Sequence, residues 1–250
     1  MKTSVRLRLL FMALLPLILL MPFLLLLGLS KWTSEYDKLL IYKVESDLRI
    51  AEQYLSRIMV STGTDLSGIA GAVDFAQALS HSKAAQLNYL ERKRAELGMD
   101  FLYFQPADTQ SDTIRWKVVQ SALEGKASTA IDVFEFDELE KISTELASEA
   151  RIDLIKTEAA VPTDRTAEVR GMVIHSASPV FLAGQSGVVV GGTLLNRNLE
   201  FIDSINELVY LNAITGGIRQ GTATLFLDDV RVSTNVRLFE DVRALGTRVS

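Results

Sequence analysis

Cysteine is absent from this 250-residue chain. Disulfides and thiolate-held metal sites are therefore excluded, although many bacterial envelope proteins also lack cysteine, so compartment is left open. Histidine is nearly absent. His81 stands at a helix start and His175 in mid-strand, and neither belongs to a metal-ligand spacing such as H-E-x-x-H. Gly191-Gly192 and Gly216-Gly217 lack the lysine and spacing of a phosphate-cradling loop. Ser176, Ser178 and Ser186 lack the strand-turn-helix setting of a nucleophile elbow. There is no phosphoacceptor-histidine box and no nucleotide-binding motif. No catalytic role, metal or cofactor is expected. Basic residues are the minority, 26 against 31 acidic, and Lys2, Arg6 and Arg8 lie at the extreme N-terminus. Beyond them 23 basic residues face 31 acidic ones, a net of −8, which gives no support to nucleic-acid binding.

What is present begins with an apolar run of 21 residues, Leu9 to Leu29, without a charge. At about 1.5 Å per residue it spans roughly 31 Å, close to the hydrocarbon thickness of a bilayer. Lys2, Arg6 and Arg8 orient the N-terminus toward the cytoplasm. Pro16 and Pro22 would each cost about 3 kcal/mol inside a soluble helix but are commoner in membrane helices. A cleaved signal peptide has a core of about 7–15 residues, shorter than this run. Gly28-Leu29-Ser30 is nonetheless a small-x-small sequence of the kind such cleavage uses. From Lys31 the pattern turns amphipathic. Trp32, Tyr36, Leu39, Leu40, Val44, Leu48, Ala51, Leu55, Ile58 and Met59 recur at spacings of three and four, a single helical stripe that needs a partner. Gly63 is expected to stop it.

A Gly- and Ala-rich connector, Asp65 to Phe75, and a short helical piece to His81 should follow. Ser82 to Leu97 reads as a helix with Ser82 as N-cap and Gly98 as stop. Met99–Gln105 and Ile114–Gln120 read as the strands of a hairpin across the turn Pro106–Asp112, and Ala130–Thr157 as an acidic helix with a solvated face. After a polar loop, Val169–Val180 and Gly187–Asn196 are expected to form an antiparallel pair covered on both faces. Asn198 then caps a helix, Leu199–Leu211. A last hairpin pairs Thr222–Leu227 with Val230–Val236 around Asp228-Asp229, with Val230, Val232, Thr234 and Val236 on one face. A lone hairpin is unstable. It either completes a small domain with residues beyond Ser250, the favoured reading, or lies on the first sheet. The expected class is α+β: a transmembrane helix continuous with a stalk, then an antiparallel sheet flanked by helices.

This order resembles the double Cache (PAS-like) sensor regions of bacterial histidine kinases, chemoreceptors and diguanylate cyclases. The carrying stretches are Arg170–Val180 (RGMVIHSASPV), Gly187–Asn196 (GVVVGGTLLN) and Gly221–Ser250. The resemblance implies residues 1–8 in the cytoplasm, 9–30 in the membrane, 31–63 as stalk, 64–215 as membrane-distal Cache unit and 216–250 as the start of a membrane-proximal unit. A complete member would finish that unit and re-enter the membrane. The amino-acid-binding subset carries a tyrosine, arginine and aspartate signature with a tryptophan and tyrosine after the arginine. Here only Arg115-Trp116 is similar, so that specificity is not carried over.

The resemblance places the ligand on the sheet face away from the stalk. Tyr103, Trp116, Arg165, Arg170, His175 and Asn196 are the candidate ligand-binding residues. The arginines would suit a carboxylate by bidentate pairing, against the plainer alternative of surface ion pairs with Glu158, Asp164 and Glu168. His175 would donate a hydrogen bond to the ligand, against the alternative of a satisfied buried histidine. The expected partners are a small molecule, the bacterial inner membrane and a second copy of the chain through the stalk, with residues 31–250 extracytoplasmic. The expected role is the input module of a receptor. The alternative is a membrane-anchored adaptor that binds another envelope protein.

Overall fold

The computed structural model describes residues 5–108, 115–158, 160–182, 184–210, 214–215, 218–219, 221–239 and 241–249. Among the described residues, no helix is long and apolar enough to cross a membrane, and the run Leu9–Leu29 lies in part outside the described side chains. Expectations resting on residues 109–114, Ala183, Leu211, Gly216 and Gly217 also fall outside the described residues.

Two units divide the chain, Met1–Ile50 and Ala51–Ser250. The first is helical, and its stripe residues Trp32, Tyr36, Leu39, Leu40, Val44 and Leu48 are all exposed. The helix α1 (Val5–Ala70) begins there and supplies residues 51–70 to the second unit. Gly63 does not stop it. Hydroxyls absorb the helix's polar positions internally: Thr62 donates to the Ile58 carbonyl at 2.9 Å and Ser67 to the Gly63 carbonyl at 2.8 Å. The expected connector therefore shrinks to Gly71 and Ala72, before α2 (Val73–His81). In α3 (Lys83–Glu96), Ser82 caps as its position predicts, accepting from the Ala85 amide at 3.1 Å, and Gly98 closes the C-terminus at φ +63°.

The rest of the second unit is β1 (Phe101–Pro106), α4 (Lys117–Leu123), β2 (Ser128–Phe134), α5 (Phe136–Ile142), α6 (Thr144–Ala150), β3 (Ile152–Asp153), β4 (Ala167–Glu168), β5 (Gly171–Leu182), β6 (Gln185–Leu194) and α7 (Leu199–Val209). Short strands follow: β7 (Ile214–Thr215), β8 (Ile218–Arg219), β9 (Thr224–Leu227), β10 (Val230–Thr234), β11 (Arg237–Phe239) and β12 (Val242–Arg243). The main sheet is antiparallel in the order β1-β6-β5-β2. The β5–β6 pair forms as the sequence implies, with Val173 opposite Leu194 and Leu182 opposite Gln185.

Three further expectations are overturned. The hairpin joining Met99–Gln105 to Ile114–Gln120 does not form. β1 pairs with β6, and Lys117–Leu123 is the helix α4, which buries Val118, Val119 and Ala122 at helical spacing. The single helix Ala130–Thr157 is instead β2, α5, α6 and β3. Thr129, Ile131 and Val133 are β-branched, and pairing with β5 outweighs the acidic surroundings that suggested a helix. Glu135 with Glu138 then forms a capping box for α5, and Ser143 caps α6. In β10 a bulge between Arg231 and Ser233 leaves Val232 unpaired, so both Ser233 and Thr234 are buried and the clean alternation ends there.

One sheet face carries Leu66, Ile69 and Ala70 of α1, with Phe75, Leu79 and Leu90, over Val180 and Val189. Further along α1, Tyr54, Leu55, Ile58 and Met59 meet Ile174, Phe201, Ile202 and Ile205. The opposite face packs Phe101, Phe134, Val173, Ala177 and Val190 under α4, α5 and α6. Asn198 caps α7 by accepting from the Phe201 amide at 3.0 Å. The β9–β10 hairpin is not left bare: Leu227, Val230 and Val232 pack with Ile152, and the Arg197 amide donates to the Val232 carbonyl at 2.7 Å.

Candidate functional site

On the face away from α1, a cleft of about 1150 Å³ opens between the sheet and the ends of α3, α5 and α6. Alternation along β1 supplies its floor. Phe101 and Tyr103 point into it, while Leu102 and Phe104 pack toward the α1 side. Phe134, from the end of β2, stacks on Trp116 with ring centroids 4.5 Å apart and 23° between planes. Phe101 and Tyr103 stack at 6.3 Å. Burial pushes the Tyr103 phenol far above its ordinary value, so it stays a neutral donor.

The rim is charged. Glu91 and Arg94 come from α3, Asp137, Glu138 and Lys141 from α5, and Glu145 and Glu149 from α6. Arg94 pairs in bidentate fashion with Glu91 at 2.7 and 2.9 Å. Arg115 pairs with Glu138 and lies 5.0 Å over the centre of the Trp116 ring. Asp100 sits half-buried beside the floor, where its Oδ2 accepts from the Leu194 amide at 2.6 Å. Burial raises its pKa, and the Leu194 bond only partly opposes that.

Of the six sequence candidates, Tyr103 and Trp116 line this cleft. His175 stands behind it. It is fully buried, with its ring edge-on to Phe134 at 5.0 Å and to Trp116 at 5.7 Å. Its Nδ1 lies 2.9 Å from Asp132 Oδ2. A carboxylate only accepts, which assigns the proton to Nδ1 and leaves Nε2 buried without a hydrogen-bond partner.

The other three lie elsewhere. Asn196 is a clamp: its Oδ1 accepts from the Met172 amide at 2.9 Å and its Nδ2 donates to the carbonyls of Ala150 (2.7 Å) and Arg170 (2.9 Å). Arg170 donates to the buried Glu168 at 2.8 and 2.9 Å and to Asp228 at 2.7 Å. Arg165 reaches Glu168 and Asp229 at 3.5 and 3.2 Å. The arginines serve an ion network rather than the cleft. Of the three nearby acids named from sequence, Glu168 is the partner of both.

The acidic rim was not among the sequence candidates. Its signal is present: Asp137, Glu138, Glu145 and Glu149 lie in the acidic stretch that by composition reads as a solvated helix face. Among the described residues no group of three or more His, Asp and Glu side chains is arranged to hold a metal ion.

Residues 193–250 match the family model described as single Cache domain 3. No curated protein matches the chain. Among solved structures, the chain is similar to the periplasmic domain of Vibrio cholerae LuxQ, with 16% identity over 81% of this chain and 82% of that one and a TM-score of 0.46. It is also similar to the ligand-binding domain of the Pseudomonas aeruginosa PAO1 amino acid chemoreceptor PctC in complex with GABA. There the identity is 13% over 77% of this chain and 74% of that one, with a TM-score of 0.37. The Cache resemblance read from the sequence thus meets a family match over its C-terminal part.

Proposed function

We propose that this chain is the extracytoplasmic input module of a bacterial transmembrane receptor, which binds a small molecule in the aromatic cleft and signals through α1. One observation carries the reading: the cleft and residues 51–70 of α1 pack on opposite faces of the same four-stranded sheet. A ligand that interacts differently with two arrangements of that sheet biases α1 with it. Residues 9–30 anchor the chain in the inner membrane, and α1 pairs with α1 of a second copy. A displacement of about 1–2 Å between the two helices is then the message. The family match over residues 193–250 supports a Cache sensor.

The test uses the absence of cysteine. Single cysteines introduced along residues 32–61 should crosslink between copies on the face of Trp32, Tyr36 and Leu39. A compound found by thermal-shift screening of the full chain should change that crosslinking pattern. A compound that stabilises the chain yet leaves every crosslink unchanged refutes signalling through α1.

A further inference from the structure

The charge of the cleft and the placement of Arg115 say more about the ligand. We infer that the cleft takes an organic ammonium ion, which displaces the Arg115 guanidinium from the face of Trp116; this rests on the ligand-sensing reading of the same cleft. Below the charged rim the floor is aromatic, with Tyr103 and Trp116 half-buried over the buried Phe101 and Phe134. Aromatic faces attract cations through their quadrupole, indole most strongly. The cleft already shows this preference, since Arg115 lies 5.0 Å over the Trp116 ring centre and is held there by Glu138.

The charge balance points the same way. Arg94 is taken by Glu91, and Arg115 by Glu138. Asp100, Asp137, Glu145 and Glu149 then stand against Lys141, leaving the lining with an excess of three negative charges. Asp100 is the one that matters for position. It is half-buried, its neighbour Phe101 lines the floor, and its side chain accepts from the Leu194 amide, with Glu149 and the Glu91-paired Arg94 the charges nearest it. An ammonium there gains a carboxylate and aromatic faces at once. An anion would meet the excess charge while both guanidinium groups of the described lining are already paired.

Arg115 is thus a resident competitor, and its removal should help a cation rather than hurt it. A role for Arg115 as receptor of a ligand carboxylate makes the opposite demand. The experiment uses the full chain in detergent with Trp32→Phe, so that Trp116 is the sole indole reporter. Butylammonium, butanol and butyrate, which share one carbon chain, are titrated by fluorescence and by isothermal calorimetry, with choline as a quaternary probe. The expected result is at least tenfold tighter binding of butylammonium or choline than of butanol or butyrate. Arg115→Gln should tighten the cation several-fold, and Asp100→Asn should weaken it about tenfold while leaving butanol unchanged. Butyrate binding best, or Arg115→Gln weakening every probe, overturns the cation assignment while the sensing cleft stands. The cation assignment falls equally if all four probes bind alike, or fail while another metabolite quenches Trp116. No compound at all perturbing Trp116 or the melting temperature would sink the sensing reading itself.

Discussion

Gly63 of α1 lies directly against Thr129 of β2. A Cβ at Gly63 would stand 2.7 Å from Thr129 Oγ1, which itself shares a hydrogen bond of 2.8 Å with Ser176 Oγ on β5. The missing side chain lets the helix backbone sit down on the sheet where β2 and β5 meet. It explains why a glycine that would ordinarily weaken a helix is retained in the middle of one.

Gly63→Ala should therefore destabilise the fold although it favours the helix. Alanine gains about 1 kcal/mol of helix propensity. Turning Thr129 away breaks its bond to Ser176, and pushing the helix off the sheet costs about 1–3 kcal/mol more. We expect a net loss of about 1–2 kcal/mol in urea denaturation. Adding Thr129→Ala should recover most of it, because the oxygen in the way is gone. A double variant that is no better than the single one would refute the contact.

Glu168 should control how firmly the β9–β10 hairpin is held. Burial pushes its carboxyl up, but the hydrogen bonds from Arg170 more than reverse this and set it below the ordinary glutamate value of 4.5. Asp229 is likewise raised by burial and brought lower by Arg248, which donates to it at 2.6 Å. Groups whose folded pKa is depressed stabilise the fold above the ordinary value, and this is lost as pH falls through the folded one. Acidification below about pH 4.5 should accordingly loosen the hairpin first, seen as faster hydrogen exchange in residues 224–234. Asp100 acts with the opposite sign, since burial raises it and protonation in acid relieves the strain. Glu168→Gln should cost about 2–3 kcal/mol at neutral pH and flatten the acid dependence.

Asn196 satisfies three main-chain groups, at Met172, Ala150 and Arg170. Asn196→Ala strands them in a buried place, at about 1–3 kcal/mol for an unsatisfied group, so a loss of about 2–4 kcal/mol in total is expected. Asn196→Asp should be worse, as a carboxylate would face two carbonyls. Equilibrium denaturation measures both.

His175 and Trp116 should behave differently. Removing the Trp116 ring, as in Trp116→Leu, should abolish ligand binding at the cleft while the fold persists. His175→Phe should keep binding within a few-fold, because the buried imidazole contacts the backs of Phe134 and Trp116 and does not line the cleft. If His175→Phe loses binding as completely as Trp116→Leu, the histidine touches the ligand after all.

Local signals were strong enough to place the β5–β6 pair, the β9–β10 turn at Asp228-Asp229, and the caps Ser82 and Asn198. Each depends on residues within a few positions of one another: apolar runs joined by a short turn, or a hydroxyl or amide three residues before the amide it serves. The apolar stripe of α1 was equally legible, because helical periodicity is written along the chain itself. What a helix or strand packs against is not. KVVQSAL has valines enough for a strand, but β1 takes β6 as its partner, and the buried spacing of Val118, Val119 and Ala122 suits a helix lying on the sheet. STAIDVF sits among acids that favour a helix until β5 offers it a ladder.

Composition, charge balance, the apolar N-terminal run and the short-range turns and caps were determined by the sequence alone, since each is a property of neighbours in the chain. Tertiary structure alone decided that β1 joins β6, that Gly63 seats a helix instead of ending it, and that Arg165 and Arg170 meet Glu168 away from the cleft. It also gathered Asp100, Trp116 and Glu149 around one cleft. The reason is that these depend on contacts between residues far apart in sequence, whose energies appear only once the chain has closed on itself.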